Sequence, residues 1–352
     1  MRAKGGIPAD QIRSVVFTPN DAVKIALRSI EERRVDVGAG VRVGLSEVDG
    51  YLLPARPGEL ISVLGMTSNY KSGWMQFWAR RAAAQIREHG LQDQVVIYAS
   101  WEQAIEEMMA FDLAFSARMS ATEIYQGRVS EKEMERLREA AFKRICIPIW
   151  LIGHSIEECQ SRPMLSLRSV NDAVNYIRST FGVKPRIIFL DYLQQIEPDE
   201  GENRRMQVFD MVRRCKNLAL SQNCPVVMGV QAGRDVYNNR SWGVPGVHEA
   251  LETSNIEHTS DKILGVWYPK QSFQEGTSIT ARRKGKLITL SVTENLLILQ
   301  VLKQRMGPSG LWWPLYVDPA TNQVSHMLEQ NLNEWGEDPT CERPGCDKPS
   351  EL

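Results

Sequence analysis

Several features are missing from this 352-residue sequence, and each absence excludes a class of protein. No run of 18 apolar residues is present, which excludes a transmembrane helix. The first residues lack the apolar segment of a secretory signal, so we expect no such signal. Six cysteines spread along the chain do not make a disulfide framework. We therefore expect a reduced, cytoplasmic protein without a membrane partner.

An excess of charge of one sign is also missing. Lysine and arginine number 42, aspartate and glutamate number 43, and the net charge is −1. A protein that coats nucleic acid with its whole surface is usually basic, so any such contact must come from local clusters. Basic clusters do occur, at residues 204–205, 213–216, 234, 240 and 282–286. Each of them taken alone is better explained as a solvated, charged surface.

Strand-like and helix-like segments alternate over residues 40–325. Apolar runs predict strands near residues 59–64, 95–99, 149–152, 186–191, 226–230 and 262–267. Helical patterns fall near residues 72–88, 102–118, 130–144, 166–181 and 202–221, with a capping box at Ser130 and Glu133 and a stop at Gly182. Continuous apolar strands that alternate with helices are typical of a mostly parallel sheet covered on both faces. We predict an α/β fold with antiparallel strands at its C-terminal end, within residues 273–317.

Two segments flank this region. Residues 1–39 form an N-terminal arm with one helix, near residues 20–33, whose apolar residues recur at helical spacing. Residues 326–352 hold seven acidic and two basic residues with three prolines, and we expect this tail to be disordered. Cys341 and Cys346 in the tail have the spacing of half a metal site, but no second pair follows them.

Residues 59–76 carry the most informative pattern. An apolar strand ends at Gly65, and Lys71-Ser72 follows six residues later, where a helical pattern begins. This is the layout of a phosphate-binding loop, in which backbone N–H groups and the helix dipole hold a polyphosphate. Lys71 would reach the β- and γ-phosphates of ATP, and the Ser72 hydroxyl would bind Mg²⁺. The predicted nucleotide-binding residues are Gly65, Thr67, Ser68, Asn69, Tyr70, Lys71, Ser72 and Gly73.

Tyr70 departs from the standard pattern, G-x-x-x-x-G-K-[ST], which has glycine at that position. Glycine is usual where a loop needs a positive φ angle, and a bulky residue there costs roughly 1–2 kcal/mol. The pattern alone therefore leaves open a Lys-Ser pair at an ordinary helix start.

Three other strands end in polar residues that could complete such a site. Asp191 follows four apolar residues, and an aspartate at a strand's carboxyl end can hold Mg²⁺, although it could also open a turn. Glu102 ends a second strand and could orient or deprotonate the attacking water, or could instead complement a helix dipole. Gln231 ends a third strand and could sense the γ-phosphate, or could face solvent.

With these pieces in place, residues 43–318 resemble the C-terminal motor domain of replicative DnaB-type helicases, which are RecA-like ATPases. The entry segment at residues 43–49 and the lead-in at residues 56–60 match that family. More specific matches are D-Y-L-Q-Q at 191–195, V-V-M-G-V-Q at 226–231, E-T-S-N-I-E at 252–257 and K-Q-R-M-G-P at 303–308.

The resemblance implies roles for residues that the pattern alone does not explain. Lys303 and Arg305 would reach into a neighbouring subunit's nucleotide, which implies a ring, commonly a hexamer. Single-stranded DNA would be held in the pore by the loop after Gln231, which includes Arg234, and by Glu252, Thr253, Ser254 and Asn255.

Several departures from the family stand beside Tyr70. Leu251 and Ser254 replace an arginine and a glycine of the DNA-contacting loop, and Trp101 replaces a leucine beside Glu102. The family's helical N-terminal domain is not expected, because only about 40 residues precede the motor region. The helix near residues 20–33 could still act as the family's linker helix, which docks on the next subunit.

Three functions remain open at this stage. We expect an ATP-driven, ring-forming helicase that translocates on single-stranded DNA. A DNA-loading scaffold that binds ATP but hydrolyses it weakly is the alternative that Tyr70 and Leu251 suggest. A recombinase filament is the third, and the K-Q-R-M-G-P segment argues against it.

Overall fold

The computed structural model of the chain describes residues 16–35, 40–157, 165–193, 204–233, 242–249 and 254–327. Within these residues the helices are α1 Pro19–Val35, α2 Ser46–Asp49, α3 Lys71–Glu88, α4 Ile105–Ala117, α5 Ala121–Tyr125, α6 Glu131–Ile145, α7 Leu167–Phe181, α8 Arg204–Ser221 and α9 Ser254–Thr259. The strands are β1 Leu60–Gly65, β2 Gln94–Ser100, β3 Ile149–Ile152, β4 Lys184–Asp191, β5 Val226–Gln231, β6 Lys262–Trp267, β7 Ser278–Arg283, β8 Lys286–Ser291, β9 Leu296–Gln304, β10 Trp312–Asp318 and β11 Gln323–His326. Single turns of 3-10 helix occur at Val247–Glu249 and Pro269–Gln271.

Nine of these strands form one sheet in the order β11-β10-β9-β6-β1-β5-β4-β2-β3. The strands from β6 to β3 in this order are parallel to one another. Strands β9, β10 and β11 then add antiparallel strands beyond β6. The predicted α/β fold, a mostly parallel sheet with an antiparallel C-terminal end, is therefore confirmed.

Both faces of the sheet are buried, which explains why its strands are apolar without alternation. In β1, Ile61 and Val63 point into a core that includes Trp74 and Trp78 of α3. Leu60 and Leu64 point to the other face, into a core formed with α7 and α8. The alternate directions of neighbouring side chains thus place two separate cores above and below one strand.

The short signals at helix ends behave as predicted. Ser130 Oγ accepts a hydrogen bond from the Glu133 N–H, and the Glu133 carboxylate accepts one from the Ser130 N–H, so the capping box at the start of α6 is formed. Gly182 ends α7 with a φ angle of 69°. The Lys284-Gly285 turn, with positive φ angles at both residues, joins β7 to β8.

The antiparallel region differs from the prediction in two respects. The β7–β8 hairpin forms a separate two-stranded sheet and does not extend the central one. It packs on that sheet through Ile279 and Leu290, which contact Trp267 and Trp312. Strands β10 and β11 were not predicted, because Pro314 interrupts the pattern of the first. No helix in the part of the chain that the structure describes is long and apolar enough to cross a membrane.

Candidate nucleotide-binding site

A cavity of about 400 Å³ opens at the carboxyl ends of the parallel strands. We call it the P-loop cavity. Its lining residues are Thr67, Ser68, Asn69, Tyr70, Lys71, Ser72, Gly73, Gln76, Glu102, Gln103, Phe111, Tyr192, Gln231 and Asn322. Glu102 and Gln231, which lie far from the loop in sequence, are therefore brought to it. The cavity lies where ligands bind in open parallel sheets, because loops and helix N-termini meet at that edge.

The loop leaves β1 at Gly65, where no larger residue fits. A Cβ atom there would lie 2.8 Å from Lys71 Cγ and 2.9 Å from the Val266 carbonyl oxygen. The Gln231 amide donates a hydrogen bond of 2.7 Å to Thr67 Oγ1 and so ties the end of β5 to the loop. Asn69 is buried, and its Oδ1 accepts a bond from the Tyr268 N–H at 2.9 Å. The Asn69 side chain thus holds the loop in shape, and the exposed Thr67 and Ser68 face the cavity.

Tyr70 adopts a backbone conformation that favours glycine. It precedes α3 with φ 68° and ψ 18°, in the left-handed region. Its hydroxyl donates to Asn322 Oδ1 and lies 3.3 Å from the Asp318 carbonyl oxygen. The ring lies 5.8 Å from that of Tyr268, and it covers Gly73, where a Cβ atom would be 2.5 Å from Tyr70 Cε1. Packing and hydrogen bonding therefore offset the strain expected of a bulky residue here.

Lys71 is the first residue of α3 and is buried. Its ammonium group donates a hydrogen bond of 2.7 Å to the Met66 carbonyl oxygen, across the loop. Burial lowers the pKa of Lys71 to about 8, and the nearby carboxylates of Asp191 and Glu102 oppose this change. A group that burial has made costly to charge gains from an anion placed beside it, as a phosphate would be.

Asp191 ends β4 and is fully buried beneath the loop. One carboxylate oxygen, Oδ2, accepts a hydrogen bond of 2.8 Å from the Tyr98 hydroxyl. The other oxygen, Oδ1, is buried and has no hydrogen-bond partner among the described residues. Burial raises the pKa of Asp191, and the Tyr98 and Ser72 hydroxyl groups oppose that shift. An unpartnered carboxylate oxygen near a hydroxyl fits Mg²⁺, which takes few protein ligands and completes its shell with phosphate and water.

Glu102 lies in the bend between β2 and α4, with its side chain exposed at the cavity. Because α4 begins only at Ile105, Glu102 is not a first-turn residue of that helix, and the dipole interpretation of it is wrong. The first turn instead holds Glu106 and Glu107. Glu106 accepts hydrogen bonds from the Ser155 hydroxyl and, at 3.0 Å, from the Ile156 N–H, so it is directed away from the cavity.

Lys303 and Arg305 lie at the other edge of the sheet. Lys303 is opposite Ile263 near the start of β6, and β6 runs parallel to β1, so this edge is remote from the P-loop. The Lys303 ammonium donates to the Glu257 carbonyl oxygen and, at 2.9 Å, to that of Ser260. Burial lowers the pKa of Lys303, and neighbouring Arg305 lowers it further. Neither side chain lines the P-loop cavity of its own chain.

The predicted DNA-contacting residues are only partly described. Arg234, Glu252 and Thr253 lie outside the described residues, as does Leu251. Ser254 begins α9, and Asn255 follows it with a partly buried side chain. Helix α9 packs against α8 on one face of the sheet.

Sequence reasoning missed several residues of the cavity. Gln76 lies four residues after Ser72 on α3, and Gln103 follows Glu102, so helical spacing and adjacency could have indicated both. Phe111 and Asn322 gave no such signal. Asn322 belongs to the turn between β10 and β11, and only the fold of the C-terminal strands brings it to Tyr70.

The fold and the loop define a RecA-like P-loop domain. The family model described as "DnaB-like helicase C terminal domain" matches residues 40–321, and the chain belongs to that family. The resemblance read from the sequence is thereby confirmed.

Individual relatives agree with this assignment. The chain is 24% identical over 305 residues to replicative DNA helicase DnaB of Rickettsia conorii, covering 84% of this chain and 58% of the relative. It is 25% identical over 202 residues to a probable plasmid replicative DNA helicase of Chlamydia trachomatis, covering 56% of this chain and 42% of the relative. The chain thus spans little more than half the length of the Rickettsia relative.

Solved structures share the fold. The ATPase domain of G40P matches with a TM-score of 0.70 and 19% identity, covering 89% of this chain and all of that domain. A DnaB-like replicative helicase, studied with its interactions with primase, matches with a TM-score of 0.70 and 18% identity, covering 89% of this chain and 68% of that one.

Proposed function

We propose that this chain is the motor of a ring-forming helicase that hydrolyses ATP and moves along single-stranded DNA. The observation that carries the proposal is the P-loop cavity. There a buried lysine at a helix N-terminus meets a glutamate and a glutamine from other strands. A buried aspartate lies beside the lysine, and one of its oxygens has no partner among the described residues.

Each of these residues has a part in hydrolysis under this proposal. Lys71 and the backbone N–H groups at the start of α3 hold the β- and γ-phosphates. Ser72 and Asp191 would hold Mg²⁺, and the bound ion would neutralise charge on the phosphate oxygens. Glu102, exposed at the cavity, orients and deprotonates the attacking water. Gln231 bonds to Thr67 of the loop, so it can report loss of the γ-phosphate to the segment after β5.

The placement of Lys303 and Arg305 supports the proposed ring. Both lie at the edge opposite the P-loop, and Arg305 is half exposed. If subunits pack head to tail, that edge of one subunit meets the P-loop edge of the next, and the cations reach its γ-phosphate. An arginine supplied in trans stabilises charge on the transferring group. We propose a hexamer, as is common in the family.

Single-stranded DNA is the proposed track, consistent with the names of the replicative relatives. Arg234, Glu252, Thr253, Ser254 and Asn255 are the proposed contacts. This segment would hold the backbone phosphates mostly through main-chain N–H groups and the Arg234 cation, without reading sequence, as a translocating motor requires.

The first test is steady-state ATP hydrolysis with and without single-stranded DNA. We expect strong stimulation by DNA and unwinding of a forked duplex. The Lys71→Ala variant should lose hydrolysis by at least about 100-fold, since a preorganised donor to the phosphates is removed. Lys286→Ala, which removes an exposed lysine that does not line the P-loop cavity, is the matched control. A rate near zero with and without DNA, with ATP still bound, would instead favour an ATP-binding scaffold.

A further inference from the structure

Asp261 holds Arg305 at two points. The Arg305 N–H donates to the Asp261 carbonyl oxygen at 3.1 Å, and Arg305 Nη1 lies 3.1 Å from Asp261 Oδ1. A third contact comes from the last turn of α9, where the His258 carbonyl oxygen accepts from Arg305 Nη2 at 3.0 Å. Backbone and guanidinium are therefore both fixed, and the direction of the side chain is set.

Asp261 is itself held in place by the core of the domain. Its Oδ2 atom accepts hydrogen bonds from Lys216 Nζ of α8 at 2.6 Å and from the Leu60 N–H at 2.9 Å. Leu60 is the first residue of β1, the strand that ends at the P-loop. The support for Arg305 is thus built on the central sheet and not on a surface loop.

The two partners differ in exposure, and the difference bears on their role. The Asp261 side chain is 11% exposed, whereas that of Arg305 is 51% exposed. An ion pair to a half-exposed arginine adds little to stability, because water screens it. Its main consequence is that the guanidinium is held by Asp261 and by the His258 carbonyl while half of the side chain stays exposed.

We propose that Asp261, with the His258 carbonyl, is a positioning residue that presents Arg305 to the nucleotide of the neighbouring subunit. This rests on the proposed function, in which Arg305 acts in trans. A long side chain that is already held in one orientation loses little conformational entropy when the transition state forms. This lowers the activation free energy of phosphoryl transfer. Asp261 would therefore act on catalysis without touching the nucleotide.

The test is the kinetics of Asp261→Asn in the full chain. The amide keeps an oxygen acceptor but loses the charge that orients the guanidinium. We expect kcat to fall by roughly 10- to 100-fold, the range for residues that orient a functional group. The KM for ATP and the nucleotide affinity should stay within about twofold, because the P-loop is intact. An unchanged kcat would overturn the proposal.

Ser130→Ala separates positioning from structural support. It removes the capping hydrogen bond at the start of α6 and leaves Asp261, Lys216 and Arg305 unaltered. We expect a lower melting temperature with kcat close to that of the unaltered protein. An equal loss of kcat in Ser130→Ala and Asp261→Asn would show that Asp261 acts only through stability, and would overturn the proposal.

Mixed rings give a readout that a folding defect would not produce. Subunits with Lys71→Ala cannot use their own site but carry an intact Arg305. Mixed with Asp261→Asn subunits, they should restore hydrolysis to the level reached when they are mixed with Arg305→Ala subunits. Recovery with Arg305→Ala but not with Asp261→Asn would overturn the positioning role. Normal hydrolysis by Arg305→Ala alone would instead refute the trans site itself.

Discussion

Charged side chains have different partners at the two edges of the parallel sheet. At the carboxyl edge, Lys71 and Asp191 are buried without a full set of partners. Lys71 donates to a backbone carbonyl, and Asp191 Oδ1 has no partner among the described residues. Burial lowers the pKa of the lysine and raises that of the aspartate, so each charged form lacks the surroundings that would stabilise it.

At the opposite edge, charges are matched within the chain. Asp261 bonds to Lys216 and to Arg305, and only Arg305 is turned to solvent. Under the proposed function, one edge receives an anion with its metal ion, and the other presents a cation. A head-to-tail ring, as proposed, would bring the two edges together, so that a complete site would need two subunits.

The strongest test of this difference between the two edges is removal of the Arg305 side chain. Arg305→Ala should reduce kcat by about 10³-fold or more, since arginine fingers contribute that much to phosphoryl transfer. ATP binding should be spared, because Arg305 does not line the P-loop cavity of its own chain. Arg282→Ala, which removes an exposed arginine of β7, is the control. Steady-state hydrolysis measures kcat, and nucleotide titration measures ATP affinity. Loss of ATP binding in Arg305→Ala would contradict the proposal that the two edges have separate roles.

A second prediction concerns the receiving edge alone. Glu102→Gln should lower kcat by roughly 10²- to 10⁴-fold, the usual contribution of a general base, with ATP still bound. Glu106→Gln is a matched control, because Glu106 lies four residues later, in the first turn of α4, and bonds to Ser155 and Ile156. If the two substitutions lowered the single-turnover rate of hydrolysis equally, Glu102 would not be the general base.

The buried lysine predicts a pH dependence of binding. The pKa of Lys71 is lowered to about 8, so the free protein loses this proton as pH rises through 8. Phosphate favours the charged ammonium, so binding should raise that pKa and take up a proton above pH 8. Apparent affinity for ATP should fall roughly tenfold between pH 7 and pH 9.

Calorimetry in buffers of different ionisation enthalpy measures the proton uptake directly. Lys71→Arg, whose charge persists through this range, should remove the uptake. If both proteins take up the same number of protons at pH 9, another group is responsible.

The smallest expected effect concerns the hydrogen bond made by the Tyr70 side chain of the P-loop. Tyr70→Phe removes the donor to Asn322 Oδ1 and keeps the ring over Gly73. We expect a loss of about 1–2 kcal/mol in the free energy of unfolding, because a partly buried acceptor loses its partner. Tyr176→Phe, at an exposed tyrosine, controls for loss of a hydroxyl. Denaturant unfolding provides the measurement, and equal stability of both variants would show that the bond from Tyr70 contributes nothing.

Patterns within short stretches of the sequence predicted much of the fold. The apolar runs of β1, β2, β4, β5 and β6 were readable because both faces of these strands are buried. Ser130 with Glu133 and Gly182 marked helix ends because the bonds and angles they make are local. Strand β10 was missed because Pro314 argues against a strand, yet it pairs opposite Ile298 in the antiparallel part of the sheet.

The sequence by itself determined the strand–loop–helix at Lys71 and the polar residues that end β2, β4 and β5, since each depends on neighbours along the chain. Only the tertiary structure decided that Asn322 meets Tyr70, that Glu106 turns from the cavity and that Asp261 holds Arg305. Those contacts join residues from 44 to 252 positions apart, and the pairing of strands across the sheet sets them, not any spacing in the chain.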